Sequence, residues 1–278
     1  MSTSPAALDY VRELVYRRAG IVLGADKYYL IEARLSTLAR ELNLPTVEDV
    51  VKGARSSGSG ALNQKIVEAL TTNETTFFRD LHPFDALRDH VIPALLAARS
   101  PAHPIRIWSA ACSTGQEAYS IAMLLREHFP GLPNGRVKIF GTDLAESVVA
   151  RARAGRFRQL EINRGLPAAL LVKYFVRDGA EWTLDASIRS MVEFKPFNLV
   201  APTEPFPHAD IVFLRNVLIY FDEETRSAVL RRVRTTLAPD GYLFLGCAET
   251  TTRVQDVFEH VHIGNTTCHR PRPIARGQ

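Results

Sequence analysis

The chain has 278 residues, 46% of them hydrophobic, and carries 34 Lys and Arg against 30 Asp and Glu for a net charge of +4. That length buries one sizeable core and a smaller unit, while so mild a charge excess, without any dense Lys/Arg run, argues against nucleic acid as a partner. Cys112, Cys247 and Cys268 lie far apart without metal-ligand spacing, and no signal-type or bilayer-length apolar run is present, so the chain reads as a cytoplasmic protein with reduced thiols, no metal and no membrane insertion.

The first seventy residues read as a small helical unit. Leu8, Val11 and Val15 form one helical face before Gly20; Leu30, Ile31, Leu35, Leu38 and Leu42 form a second. Val47, Val50, Val51 and Ala54 form a third, and Leu62, Ile66, Val67 and Leu70 a fourth. Thr46 with Glu48 and Asp49 is an N-cap signal, and Ser56 to Gly60 is a flexible break. Lys27, Arg34 and Arg40 place positive charge along the second helix. Charge alone favours a solvated face; the sharper reading is a docking surface for an acidic helical partner.

Thr71 to Asp80 (TTNETTFFRD) joins the two parts. Phe77 and Phe78 can anchor the segment, leaving Asn73, Thr75 and Arg79 to present polar groups. The Arg79 fork suits a ligand carboxylate. A capped linker helix with Arg79 in a surface ion pair is an equal alternative.

Ile105 to Leu125 predicts a buried strand, a small-residue turn from Ser109 to Gly115, and a helix from Gln116. This is the nucleotide-binding half of a doubly wound α/β domain. Only Gly115 of a G-x-G-x-x-G pattern is present, which disfavours a pyrophosphate and with it a nucleotide-dependent oxidoreductase. Glu117 in the first turn of the helix suits a ligand with a cationic end, and S-adenosylmethionine is such a ligand. A second strand, Arg136 to Asp143, ends in an acid placed to accept ribose hydroxyls, although a strand-end Asp that merely caps the next helix is the plainer reading. Cys112 beside the turn reads as a buried small hydrophobe, since no activating base is evident.

A third strand is expected over Met191 to Leu199, ending at Asn198, and a strongly buried fourth from Asp210, closing in the polar turn Arg215-Asn216 with Tyr220 just beyond. A helix follows to Leu237. Pro239, Asp240 and Gly241 turn into a strand over Tyr242 to Leu245, and Phe258 to His269 alternates about Gly264-Asn265 as a hairpin. The fold class is therefore α/β: a Rossmann-like domain over residues 71–278, behind a small N-terminal all-α domain over residues 1–70.

TTNETTFFRD, SAACSTGQEAYSIA, GTDLAESVVARARAG, FNL and FLRNVLIYFD followed by LAPDGYLFLG resemble, in order, the motifs of the CheR-type chemotaxis receptor methyltransferases. The resemblance implies S-adenosylmethionine-dependent methylation of glutamates on the cytoplasmic helices of methyl-accepting chemotaxis receptors by a monomeric enzyme, with S-adenosylhomocysteine as product. It implies that Asn73, Thr75 and Arg79 border the methionine end, Glu117 engages the cofactor, Asp143 holds the ribose, and Asn198 and Leu199 border the adenine. Leu214, Arg215 and Asn216 would line the strand end beneath the cofactor, Tyr220 would lie near the sulfur, and the helix carrying Lys27, Arg34 and Arg40 would dock the receptor. Arg79 and Tyr220 are the expected catalytic pair, acting by orientation. Two departures stand out: Gln116-Glu117-Ala118 replaces the family's usual Glu-Glu-Pro, and the family's β-subdomain is reduced, near residues 166–189, to a brief hairpin of Tyr174 to Val176 with Trp182 to Leu184. In some relatives that subdomain grips a tethering pentapeptide, and no such binding is expected of this chain. A non-catalytic sensor of the cofactor or its product is the binding-protein alternative.

Overall fold

The computed structural model describes residues 3–56, 60–201 and 204–273. Two units organise them. One takes the chain up to Thr72 together with Asn198–Glu204 and Tyr220–Arg226, and the other takes the rest.

The first unit is built on α1 (Pro5–Ala19), α2 (Tyr28–Glu41), α3 (Val47–Ser56) and α4 (Gly60–Leu70). Ser4 Oγ accepts the Ala7 N–H to cap α1, Pro5 sits in its first turn, and Gly20 ends it at φ 68°. Thr46 Oγ1 accepts the Asp49 N–H at 3.2 Å and opens α3 as predicted. The helical faces expected from periodicity are the buried ones: Val11, Val15, Ile31, Leu35, Val50, Ile66 and Val67 are sealed from solvent. Leu30, Leu42 and Leu62, at the margins of those faces, are half-buried. Of the expected break at Ser56 to Gly60, residues 57–59 lie outside the described residues. Lys27 belongs to a short 3-10 turn, Ala25–Lys27, ahead of α2.

The unit's main segment ends at Thr72, and two later segments of the chain join it. Ile21 bridges to Phe221, the Val22 N–H donates to the Tyr220 carbonyl at 2.8 Å, and Asn198 Nδ2 donates to the Arg18 carbonyl at 2.7 Å. Gly20 is where the returning segments pass closest: a Cβ there would lie 2.9 Å from Thr225 and from Val200 side-chain carbons.

The second unit opens with α5 (His82–Ala86), a π-helical turn (Leu87–Val91) and α6 (Ile92–Ala98). There follow β1 (Ile105–Ala110), α7 (Gln116–His128), β2 (Val137–Asp143), α8 (Glu146–Ala154), β3 (Arg156–Arg158), α9 (Gln159–Ile162), α10 (Ala168–Tyr174), β4 (Phe175–Asp178), β5 (Glu181–Leu184), α11 (Ala186–Arg189), β6 (Val192–Pro196) and β7 (Ala209–Leu214). The chain then runs through α12 (Glu223–Thr236), β8 (Leu237–Leu245), β9 (Phe258–Ile263) and β10 (Thr266–Pro271). A seven-stranded sheet in the order β6-β2-β1-β7-β8-β10-β9 forms its centre. Strands β6, β2, β1, β7 and β8 run parallel, and β10 pairs antiparallel with β8 and β9.

This order positions the site. β1 has β2 on one side and β7 on the other, so the crossovers leave in opposite directions and open a crevice beyond the carboxyl ends of these strands. β1 is buried at all but one position, and α7 is buried throughout Gln116–Leu125, so strand, turn and helix are held rigidly.

Three expectations are corrected. β6 ends at Pro196, two residues before Asn198. Pro239-Asp240-Gly241 is an irregularity inside β8, because Leu237 already pairs with Ala209 and regular pairing resumes at Ile211–Tyr242. The insertion is a full three-stranded antiparallel sheet, β3-β5-β4, that begins at Arg156, and Tyr174 ends α10 instead of opening a strand. Arg156-Phe157-Arg158 is too short to show a period of two, so its pairing was invisible in the sequence.

Candidate active site

The small residues after β1 fold into a turn that few sequences tolerate. Ala111, Ser113 and Gly115 all have positive φ, at 55°, 52° and 94°. For alanine and serine this conformation is costly and persists only where surrounding contacts over-determine it. Those contacts come from the end of β2. Asp143 Oδ2 accepts the Ser113 N–H at 2.8 Å, and the Cys112 N–H donates to the Thr142 carbonyl at 2.9 Å. Asp143 Oδ1 also accepts the Ala145 N–H at 3.2 Å, which ties the carboxylate to the residue ahead of α8. Gly115 lets the turn pass into α7: a Cβ there would lie 3.0 Å from Phe194 and 3.1 Å from Tyr119.

In the first turn of α7, Glu117 is buried, and both carboxylate oxygens are engaged. Oε1 accepts from the Ser109 hydroxyl at 2.7 Å and Oε2 from Arg215 Nη1 at 3.0 Å. Arg215, from the end of β7, is the hub. Its side chain is 2% exposed, and its Nη2 donates to the Arg79 carbonyl at 2.8 Å and to Asp80 Oδ2 at 2.7 Å. Its Nε–H is buried without a partner among the described residues. Beside it Asn216 is left-handed at φ 60°. Glu117 and Asp80 pair with the Arg215 guanidinium, and Asp143 adds a third carboxylate at the end of β2; against Arg215 and Arg79 together the balance is still electronegative.

Residues 73–76 have no helical structure, and 77–80 form turns, so the linker-helix alternative does not occur. Phe77 is completely buried, its ring edge-on to Phe157 at 5.1 Å and to Phe175 at 5.7 Å. Phe78 is only half-buried; its N–H donates to Ser120 Oγ at 2.9 Å. The anchored segment carries strain of its own, with Phe78, Asp80 and Leu81 all at positive φ. Asn73 is tied in through its carbonyl, which accepts from Ser113 Oγ at 2.7 Å. Thr75 is half-buried. Arg79 is half-buried, its guanidinium touches the Glu74 carbonyl at 3.4 Å, and among the described residues no carboxylate pairs with it. The surface ion pair of the alternative reading is therefore absent among the described residues.

Comparison with known proteins decides the family. Residues 73–266 match the family model described as CheR methyltransferase, SAM binding domain, and residues 6–71 match CheR methyltransferase, all-alpha domain. The chain belongs to the CheR methyltransferase family. It is 38% identical to the chemotaxis protein methyltransferase Cher2 of Pseudomonas putida, over 94% of this chain and 96% of that protein. It is 37% identical to chemotaxis protein methyltransferase 1 of Pseudomonas aeruginosa, over 98% and 100% of the two chains, and 37% identical to the chemotaxis protein methyltransferase of Escherichia coli, over 93% and 89%.

The chemistry of the second unit fits the S-adenosylmethionine that a CheR domain binds. An electronegative strand end suits ammonium and sulfonium charges, and a buried strand-end carboxylate such as Asp143 accepts hydroxyl donors as readily as amides. Cys112, next to the strained turn, is 2% exposed; burial first, then the charges of Asp143 and Glu117, push its thiol well above the usual range, so it stays protonated and inert.

The structure brings Asn73, Arg79, Glu117, Asp143, Leu214, Arg215 and Asn216 into one unit, around the ends of β1, β2 and β7. Leu214 is a fully buried strand residue paired with Ala110 and Leu245. Asn198, Leu199 and Tyr220 cluster instead with the first unit. There the Asn198 side chain holds the Arg18 carbonyl and accepts the Val200 N–H, Leu199 is 7% exposed, and Tyr220 is half-buried. On the basic helix, Arg34 is already committed to the Thr71 carbonyl at 2.7 Å and the Thr72 hydroxyl at 3.2 Å, and Arg40 to its own helix through Ser36 and Thr37. Lys27 is exposed. Sequence reasoning missed Ser109 and Asp80 as partners of the Glu117–Arg215 pair. Asp80 lay inside a quoted motif, but nothing local marked it as the partner of a residue so far along the chain.

Proposed function

We propose that the chain transfers the methyl group of S-adenosylmethionine to glutamate side-chain carboxylates of methyl-accepting chemotaxis receptors, as a cytoplasmic, monomeric enzyme. The observation that carries this is the strained turn Ala111–Gly115, locked by Asp143 and bordered by the buried Glu117–Arg215–Asp80 chain. Backbone strain of this kind clusters at ligand sites, and an electronegative strand end suits a cationic cofactor. Bound there, S-adenosylmethionine supplies an activated methyl on a sulfonium.

In this reading Asp143 holds the ribose, Glu117 engages the cationic end, and Arg79 takes the methionine carboxylate or orients the acceptor. Asn73 and Thr75 border that end, and Arg215 with Asn216 fixes the strand end. For Asn198 and Leu199 at the adenine, and for Tyr220 at the reaction centre, support comes from the family resemblance alone. The acceptor needs no general base, because a glutamate side chain, with a reference pKa of about 4.3, is ionised near neutral pH. The residues act by alignment, whose worth is large when reacting atoms are held in line. No helix among the described residues is long and apolar enough to cross a membrane, and the proposal requires none.

The test is transfer of radiolabelled methyl from S-adenosylmethionine to receptor cytoplasmic fragments, followed by alkaline release of methanol. Base-labile label is expected. Base-stable label, or cofactor binding without transfer to any of several fragments, would move the reading to another acceptor or to a sensor.

A further inference from the structure

Where β7 and β8 end side by side, at the pair Leu214–Leu245, the amides just beyond lose their ladder partners. A single side chain collects them. Glu249 Oε2 accepts the N–H of Asn216 and of Gly246, both at 2.7 Å, and Oε1 accepts the N–H of Leu218 at 2.7 Å. The Glu249 N–H donates to the Gly246 carbonyl at 2.9 Å, closing the turn that folds the carboxylate back over the strand ends. Only glycine fits at 246: a Cβ would lie 2.7 Å from Asn216 Nδ2, 2.8 Å from Glu249 Oε2 and 3.0 Å from the Asn216 nitrogen.

We infer that Glu249 is a positioning residue for methyl transfer, clamping the turn Arg215–Leu218 through three backbone amides; this rests on the functional reading above. The physical case is direct. A carboxylate accepting several backbone amides makes strong charge-assisted bonds, and here they select for Asn216 the left-handed conformation (φ 60°), one of several that asparagine adopts readily when unclamped. Arg215 leaves the same turn, and its grip on both Glu117 and Asp80 depends on where that turn stands. Glu249 thereby acts on the reaction through Arg215 and Asn216. The cavity beyond, about 380 Å³ and lined by Arg215, Gly246, Glu249, His82, His260 and His269 among others, gives the turn room to move once the clamp is released.

The test compares wild type with Glu249→Gln and Glu249→Asp. A glutamine keeps the size but puts an NH2 where one oxygen stood, so at least one amide loses its acceptor. With misplacements on the ångström scale costing about a hundredfold, kcat is expected to fall roughly ten- to a hundredfold in E249Q, by more than KM for S-adenosylmethionine changes, in protein that still melts cooperatively above the assay temperature. E249D, which keeps both acceptor oxygens on a shorter stem, is expected to be intermediate. Folded E249Q with kcat within threefold of wild type, or an activity loss matching the fraction unfolded, overturns the inference. Where E249Q does not fold, E249D is judged by the same limits. In wild type, the amides of Asn216 and Leu218 are expected to be protected from hydrogen exchange, and exchange at coil rates overturns the clamp without any variant. Should wild type transfer no methyl, the functional reading fails by itself. The clamp is then judged by calorimetric affinity for S-adenosylmethionine, expected to weaken at least threefold in E249Q and overturned by equal affinity.

Discussion

Arg215 carries the largest single consequence at the residue scale. Its guanidinium is buried between Glu117, itself buried, and Asp80, whose side chain is 40% exposed. Removing the cation while leaving Glu117 ionised strands a charge in the interior, which typically costs about 3–5 kcal/mol, whereas replacing both partners by neutral groups costs far less. Arg215→Met is therefore expected to lower the unfolding free energy by about 3 kcal/mol in urea denaturation. Glu117→Gln in the same chain should recover part of that loss. Equal stability of the single and double variants would show that the ion pair is not the term that matters. The Asp80 arm, screened by solvent, contributes little to this figure.

For the elements, the segment Asn73–Asp80 has its fully buried anchor in Phe77, with Phe78 half-buried against Phe84 beside it. Phe77 is sealed against Phe157 of β3 and Phe175 of β4, so the three-stranded insertion sheet is the support on which Arg79 and Asp80 are presented. Truncating a buried phenylalanine costs about 3–5 kcal/mol through lost burial and the cavity left behind. Phe77→Ala is expected to show that loss in denaturation and to make residues 73–80 cleavable by a protease under native conditions. Unchanged cleavage would assign the anchoring elsewhere, for instance to the Phe78 N–H on Ser120. The same sheet removes the ground for expecting no tethering-peptide binding, since that expectation rested on a brief hairpin where a complete three-stranded sheet stands.

For the whole molecule, His269 ties stability to pH. It is 4% exposed on β10, meets the Thr251 hydroxyl, and stands edge-on to His260 at 4.7 Å. Burial first, then the neighbouring His260, pull its pKa down from 6.5 to about 4. The unfolded chain therefore binds a proton that the folded chain refuses. The stabilisation is complete above about pH 6.5 and is lost as pH falls towards 4, by roughly 3 kcal/mol across that window. The urea midpoint is expected to drop between pH 7 and pH 5, and the drop should shrink in His269→Asn. A midpoint flat over that range would assign the proton linkage to other groups. The chain read by itself determined the four N-terminal helices, β1 with its turn and α7, the acid at the end of β2 and the closing hairpin, because these are signalled by periodicity and turn residues within a few positions of one another. Its motifs also singled out Arg79, Glu117, Asp143 and Arg215, which the fold gathers in one unit. Only the tertiary structure decided that Arg215 bridges Glu117 to Asp80, that Glu249 gathers three amides, that Arg156–Arg158 completes a sheet, and that residues 198–204 and 220–226 join the helical unit. Each of these is a contact between residues distant along the chain, often made by one side chain, and a single long-range contact leaves no period and no local composition from which to read it.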